Sequence, residues 1–244
     1  MPTIKLTLEY EGTAYAGWQQ QPDQPTIQGQ LEQALFQITQ HRIPVIGAGR
    51  TDAGVHALGQ VASFQSDSVL SPPKWAQALN RYLPTDIAVL HSEQVEDSFH
   101  ARYSAIGKTY EYRIRLHPSR PALDRNRVWH MHTTLDLSRM QQTIPWLLGT
   151  HDCTSFEGPR AGSHNPICRI THMTIHQRED LLSIQLEADR FLKQMVRAIV
   201  GTIVEVGRKR REPEDMSSII AARDRRAAGE TAPPQGLYLV KVWY

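Results

Sequence analysis

Residues 4–10, Ile4-Lys5-Leu6-Thr7-Leu8-Glu9-Tyr10, alternate apolar and polar side chains, the period-two pattern of a strand with one buried face. Downstream, Ile27, Leu31, Leu35 and Ile38 recur at helical spacing behind Thr26, a residue type that caps helix N-termini. Short strands are predicted over 43–48 and 59–65. Ser71-Pro72-Pro73 opens a second helix, since proline is tolerated in a first turn, with Trp75, Leu79 and Tyr82 along one face. A strand over 86–95 closes the series.

The remainder repeats this order with insertions. Tyr110, Tyr112, Ile114 and Leu116 alternate as a strand, and a shorter one is predicted near 128–132. A helix is predicted from Asp136 to Leu148, kinked or shortened by Pro145. Strands over 168–177 and 181–188 form a hairpin turning at Glu179-Asp180. A helix over 190–206 is predicted to end at Gly207 in a left-handed C-cap. A short helix near 213–224 and a strand over Leu237–Trp243 complete the chain. The class predicted is α+β, with two ferredoxin-like (βαββαβ) halves in tandem, residues 1–105 and 106–244. Their sheets would flank a central basic cleft, the default place for a site.

The chain has 244 residues, 40% hydrophobic and 21% charged, which excludes disorder, collagen and a membrane bundle. Two cysteines suit a reducing compartment better than a disulfide scaffold. The N-terminal stretch lacks the pattern of a signal peptide, and Phe191–Gly207 carries Lys193, Arg197 and Glu205, too many charges for a bilayer. A cytoplasmic protein is expected. The net charge of +2 conceals a contrast: residues 1–105 hold 6 Lys/Arg against 10 Asp/Glu, residues 106–244 hold 21 against 15. Of the 27 cations 21 are arginine, whose planar fork suits phosphate, although codon bias or a heat-adapted proteome gives the same count.

The chemistry concentrates in residues 45–57, from Val45 through Gly47, Gly49, Arg50-Thr51-Asp52-Ala53-Gly54 to Val55-His56-Ala57. The phosphate-loop lysine is missing, and Asp52 stands where a dinucleotide fingerprint needs its third glycine. What is left is an arginine and an aspartate two residues apart among three glycines. A cation nearby would keep Asp52 ionised, as a nucleophile or base requires; a turn with a structural salt bridge fits the same residues.

Arg50-Thr51-Asp52-Ala53-Gly54-Val55-His56-Ala57 resembles the signature of the tRNA pseudouridine synthases of the TruA family. Five further segments resemble that family in order: Tyr10 to Gln19; Phe99 to Ala105 with Lys108 to Tyr112; Gly149 to Asp152 with Phe156; Phe191-Leu192 through Met195-Val196-Arg197 to Gly201; and Ala232-Pro233 with Gly236-Leu237. Glu11 stands where an aspartate is usual and Cys153 where an aromatic is common. The resemblance implies isomerisation of uridine to pseudouridine at positions 38, 39 and 40 of the tRNA anticodon stem-loop, without cofactor or metal. The base is detached at N1–C1′, turned and rejoined through C5, on a nucleotide taken out of the stack. It also implies a homodimer contacting one tRNA with both subunits.

By the same resemblance Asp52 is the essential aspartate; attack on the sugar, attack on the base and proton abstraction all remain open to it. Tyr110 matches the tyrosine that packs on the target base, and aromatic stacking holds a uracil without fixing its in-plane orientation. A core tyrosine beside Tyr112 is the bland reading. Arg197 matches a basic position and is the expected ion-pair partner of Asp52. If 190–206 is one helix, Arg190, Lys193 and Arg197 share a polar face opposite Leu192, Met195, Ile199 and Ile203. Arg50 has two open roles, pairing with an acid or contacting the flipped nucleotide's phosphate. Lys108 shares Tyr110's strand face. The runs Arg208-Lys209-Arg210-Arg211 and Arg223-Asp224-Arg225-Arg226 are phosphate-contact candidates or solvated surface. His130-x-His132 and His151-x-Cys153 match no zinc spacing, so no metal is expected, and His56 is assigned to holding its loop. The alternatives are a catalytically silent RNA-binding protein and a phosphate-ester hydrolase; the missing phosphate-loop lysine and metal ligands count against the latter.

Overall fold

Residues 3–10 form β1 (Thr3–Tyr10), with Ile4, Leu6, Leu8 and Tyr10 buried and Lys5, Thr7 and Glu9 on the more open face. The computed structural model describes residues 1–159 and 165–244, and the chain divides into two compact units: 1–106 with 238–244, and 107–237. Each is a mixed α/β assembly, and among the described residues no helix is long and apolar enough to cross a membrane.

In the first unit β1 is followed by α1 (Ile27–Thr39), β2 (Ile46–Gly47), β3 (His56–Gln65), α2 (Lys74–Asn80) and β4 (Ile87–Val95). Thr26 caps α1, its hydroxyl accepting the Gly29 N–H at 3.2 Å. The helix ends at Gln40, which adopts the left-handed conformation at φ 60°. Ile27, Leu31, Ala34 and Leu35 make the buried stripe, each large side chain contributing about 1.5–3 kcal/mol. On α2, Trp75 packs edge-on against Phe64 with ring centroids 5.1 Å apart. Tyr82, predicted on the same face, lies past the helix end and is exposed. β1 pairs antiparallel with both β3 and β4, and β2 pairs antiparallel with β3. The strand predicted over 43–48 is only two residues long, whereas the one predicted from 59 begins at His56.

The second unit contains β5 (Gly107–Leu116), β6 (Trp129–Met131), α3 (Leu137–Gln141), α4 (Ile144–Leu147), β7 (Gly149–Asp152), β8 (Ile167–Arg178), β9 (Leu181–Ala188), α5 (Met195–Gly207) and α6 (Asp215–Ala222). Pro145 splits the predicted 136–148 helix into α3 and α4 and sits in the first turn of the latter. β8 and β9 form the expected hairpin through Glu179, at φ 54°, and Asp180. β5 pairs antiparallel with β9 and parallel with β6; β7, not foreseen, pairs antiparallel with β8.

The α5 segment corrects two expectations. It starts at Met195 because Gln194 is left-handed at φ 59° and the Lys193 carbonyl accepts the Gly158 N–H at 2.8 Å. Arg190 and Lys193 therefore precede the helix and do not share a helical face with Arg197. Gly207 is the last helical residue and not a left-handed cap; a Cβ there would approach Met140 Sδ to 2.8 Å and Leu135 Cβ to 3.3 Å. Close packing, not dihedral freedom, asks for this glycine.

The final strand, β10 (Leu237–Trp243), with Tyr244 after it, brings residues 238–244 into the first unit, where Tyr238 and Leu239 pair parallel with His56 and Ala57. The sequence pattern places those residues at the end of a 106–244 half, because local patterning carries no record of which unit a strand pairs into.

Gly201 lies mid-helix in α5, where a Cβ would come within 2.9 Å of the Glu230 backbone and closer still to its carbonyl oxygen. Helix propensity favours alanine there by about 1 kcal/mol, but steric overlap with backbone costs about 1–3 kcal/mol. Gly201→Ala is predicted to lower stability, the reverse of the propensity effect, as measured by denaturant titration.

Candidate active site

Asp52 stands on the loop between β2 and β3. Ala48 N donates to Val61 O at 2.8 Å at its start, and Val55 N donates to Asp52 O at 3.1 Å, closing a turn that has Gly54 at φ 77°. A positive φ at this position of a turn calls for glycine. Asp52 is half-buried and Arg50 exposed.

The segment after β1 fixes this loop from one side. Trp18 N donates to Thr51 O at 3.1 Å and Gly54 N to Tyr15 O at 3.3 Å. Gly12 N donates to Nδ1 of buried His56 at 3.0 Å, so that nitrogen carries no proton and the neutral ring holds its hydrogen on Nε2. The imidazole also packs on Tyr238, centroids 4.8 Å apart. His56 thus holds the loop, as expected.

Two glycines make the approach possible. At Gly12 a Cβ would overlap the Val55 carbonyl, and at Gly17, with φ 103°, it would lie 2.5 Å from Thr51 O. Behind the loop, the Tyr10 hydroxyl and Thr51 Oγ1 are 2.9 Å apart, and Gln60 Nε2 donates to Gly49 O at 2.9 Å and to Tyr10 at 3.4 Å. Burial pushes the Tyr10 phenol up to about 12, so it stays neutral. The loop is therefore hydrogen-bonded from behind by Tyr10 and Gln60 as well as from the side by Tyr15 and Trp18.

In the second unit Tyr110 sits on β5 opposite Leu186, 7% exposed, with Phe191 edge-on at 5.0 Å. Face-on contact with a base therefore requires a neighbour to move. Lys108 is half-exposed two positions away on the same strand. Arg197 is clamped twice: its Nε donates to Ala232 O at 2.7 Å, and its carbonyl accepts the Ala232 N–H at 3.0 Å. Buried Tyr112 donates its hydroxyl to the next carbonyl, Pro233 O, at 2.7 Å. The Ala232-Pro233 segment is thus an anchor that sequence reading left without a role, since its partners lie 35 and 121 residues away.

The basic runs separate by partner. Arg190 and Lys193 are exposed. Arg208 pairs with Glu230 at 3.7 Å, Lys209 with Asp136 at 3.6 Å and Arg211 with Glu205, while Arg210 is exposed. From Arg197 to this run the helix rises about 16 Å. Arg225 reaches Gly229 O at 2.8 Å and Thr231 Oγ1 at 2.7 Å, bracing a turn; Arg226 pairs with Asp224, and Arg223 with Asp152 at 3.1 Å. Among the described residues no group of three or more His, Cys, Asp or Glu is placed to hold a metal ion.

A family model described as tRNA pseudouridine synthase matches residues 7–104 and 144–244. The chain belongs to the tRNA pseudouridine synthase family. Relatives in that family match from end to end. tRNA pseudouridine synthase A 2 of Clostridium tetani (strain Massachusetts / E88) is 42% identical over 99% of this chain and 98% of its own length. tRNA pseudouridine synthase A of Acetivibrio thermocellus is 41% identical over the whole of both chains, and that of Coxiella burnetii (strain RSA 331 / Henzerling II) is 41% identical over this whole chain and 94% of its own. Asp52 and Arg197 fall within the residues matched by the tRNA pseudouridine synthase model, whereas Lys108 and Tyr110 fall in the interval it does not match.

The contacts around the loop set measurable costs. Gly17→Ala must strain the backbone or displace the loop, at about 1–3 kcal/mol, and Tyr10→Phe removes the Thr51 partner at about 1–2 kcal/mol; thermal melts should show both losses. Asp152 accepts the Thr154 hydroxyl at 2.6 Å and its N–H at 3.0 Å. The hydroxyl above all, with the N–H and the Arg223 guanidinium, outweighs burial and holds this carboxyl below its usual range. A depressed pKa stabilises the fold above the unfolded value, near 3.9, and that contribution is lost as pH falls through the folded value. Asp152→Asn should therefore be less stable than wild type at pH 7 and converge with it on acidification below about pH 4, by denaturant titration at several pH values.

Proposed function

We propose that this chain isomerises uridine to pseudouridine at positions 38, 39 and 40 of the tRNA anticodon stem-loop, with Asp52 acting on a flipped-out nucleotide. As a member of the tRNA pseudouridine synthase family it is an isomerase of tRNA uridine. The observation that carries the assignment of Asp52 is its loop. A half-buried carboxylate is held on a turn whose neighbours are hydrogen-bonded on both sides. Such preorganisation is what a group acting on one atom of an extruded base requires.

In the reaction the N1–C1′ bond breaks, the base rotates, a C5–C1′ bond forms, and the C5 hydrogen leaves to solvent while N1 gains a proton. Tyr110, Arg50 and Arg197 are the proposed contacts to the target nucleotide. Lys108, Arg190, Lys193 and Arg208 to Arg211 are proposed for RNA phosphates. The ion pair of exposed Lys209 does not preclude this, since exposed pairs are worth about 0–1 kcal/mol, whereas the Arg211–Glu205 pair is part-buried and would have to open. The reading includes two ferredoxin-like halves, which the β4-β1-β3-β2 antiparallel order of the first unit supports, residues 1–105 bearing the Asp loop and residues 106–244, apart from the returning residues 238–244, the basic contacts. It also includes a homodimer, no cofactor and a cytoplasmic location.

The test is tritium release from tRNA labelled at uracil C5, in buffer without added metal or cofactor. Wild type should release label, and Asp52→Ala should bind tRNA within about threefold of wild type yet release none; turnover by that variant near the wild-type rate overturns the role of Asp52. tRNAs with one uridine at 38, 39 or 40 check the positions. Tyr110→Phe should keep most activity and Tyr110→Ala lose it, by about 10- to 100-fold for one lost stacking contact.

A further inference from the structure

The turn that follows β4 presents an unusual surface. His100 O accepts the Ser104 N–H at 2.9 Å, Ser104 Oγ accepts the His100 N–H at 3.1 Å, and His100 Nδ1 accepts both the Arg102 and Tyr103 N–H groups at 3.2 Å. The imidazole is thereby fixed as the turn's own cap. Tyr103 lies on it, ring centroids 4.3 Å apart and planes at 31°, and the Arg102 guanidinium is 5.6 Å from the same tyrosine ring. Yet Tyr103 is 77% exposed. With His100 against the ring and the Arg102 guanidinium over it, that exposure leaves aromatic surface within reach of a planar ligand.

The turn is also tied to the sheet. Ala101 N donates to Ser63 Oγ at 3.2 Å, the Tyr244 hydroxyl donates to Ala101 O at 2.7 Å, and Phe99 packs on Tyr244 at 4.9 Å. Ser63 lies at the far end of β3 from His56 and the Asp52 loop. From His56 to Ser63 the strand advances about 23 Å at roughly 3.3 Å per residue. One nucleotide cannot touch both places.

Charge defines the ligand further. The first unit holds 7 Lys/Arg against 10 Asp/Glu, Glu96 and Asp97 precede the turn, and Lys5 nearby is engaged by Glu93 at 3.1 Å. A carpet of cations for duplex phosphates is absent from this turn. What is present is a rigid aromatic face with one exposed guanidinium beside it, which fits an unpaired base and its own phosphate.

We infer that His100, Arg102 and Tyr103 form a stacking platform for an unpaired nucleotide of the tRNA substrate, outside the segment that reaches Asp52. The inference rests on the function proposed above. Tyr103→Ala should weaken binding of full-length tRNA about 5- to 100-fold, with little change in the salt dependence of binding, because a stacking contact releases no counterions. Tyr103→Phe should stay within about twofold of wild type, since the ring carries the contact. An isolated anticodon stem-loop hairpin should bind wild type and Tyr103→Ala equally. Unchanged tRNA binding by Tyr103→Ala, an equal loss on the hairpin, or a shift in sedimentation mass showing that Tyr103 joins two copies of the chain would each overturn the platform. Wild type that neither binds nor converts tRNA would overturn the functional reading and this inference with it; active wild type with an indifferent Tyr103→Ala overturns this inference alone.

Discussion

The contact between the segment after β1 and the 51–56 loop is the constraint on which the candidate site depends. Backbone meets backbone there, at Gly12 against Val55 and Gly17 against Thr51, with His56 filling the remaining space and taking the Gly12 N–H. In a dense interior such an approach excludes any Cβ. Asp52 inherits its position from these neighbours. Neither glycine accepts a Cβ without moving the backbone opposite it, so the two are scaffolding for the segment that carries Asp52.

Much of the fold was legible because its signals are local. The alternation in β1, the Thr26 cap and the Glu179-Asp180 hairpin each depend on residues adjacent in sequence. The errors lie where tertiary contact overrode local pattern. The stretch before Met195 looks helical, but Gln194 turns left-handed against Gly158. Gly207 reads as a cap but is held by the bulk of Met140 and Leu135. The four residues of β7 are too few and too polar to show a period, and their pairing with β8 makes them a strand.

The site was legible in a different way. The Arg50–Ala57 segment stands out through its glycines and through resemblance to a family, but nothing local shows that Gly12 and Gly17 are its other half. Nor could charge counting tell cations that brace the fold from exposed ones. Arg225, part-buried, holds a turn, while Arg210 in a similar run is exposed. An arginine's role depends on which carbonyl or carboxylate the fold brings to it, and those partners come from distant segments.

The return of the last strand bears on how the protein is made. With β10 beside β3, the second unit is an insertion between β4 and β10 of the first. During synthesis the chain leaves the ribosome from its N-terminus, and units tend to fold as they emerge. The first unit cannot do so fully, because Tyr238, the ring that packs on His56, and Tyr244, which ties down Ala101, are among the last residues translated. The loop bearing Asp52 therefore acquires its final support only when translation is nearly over, and a ribosome stalled in the second unit would hold a first unit with a correct sequence and an unfinished site.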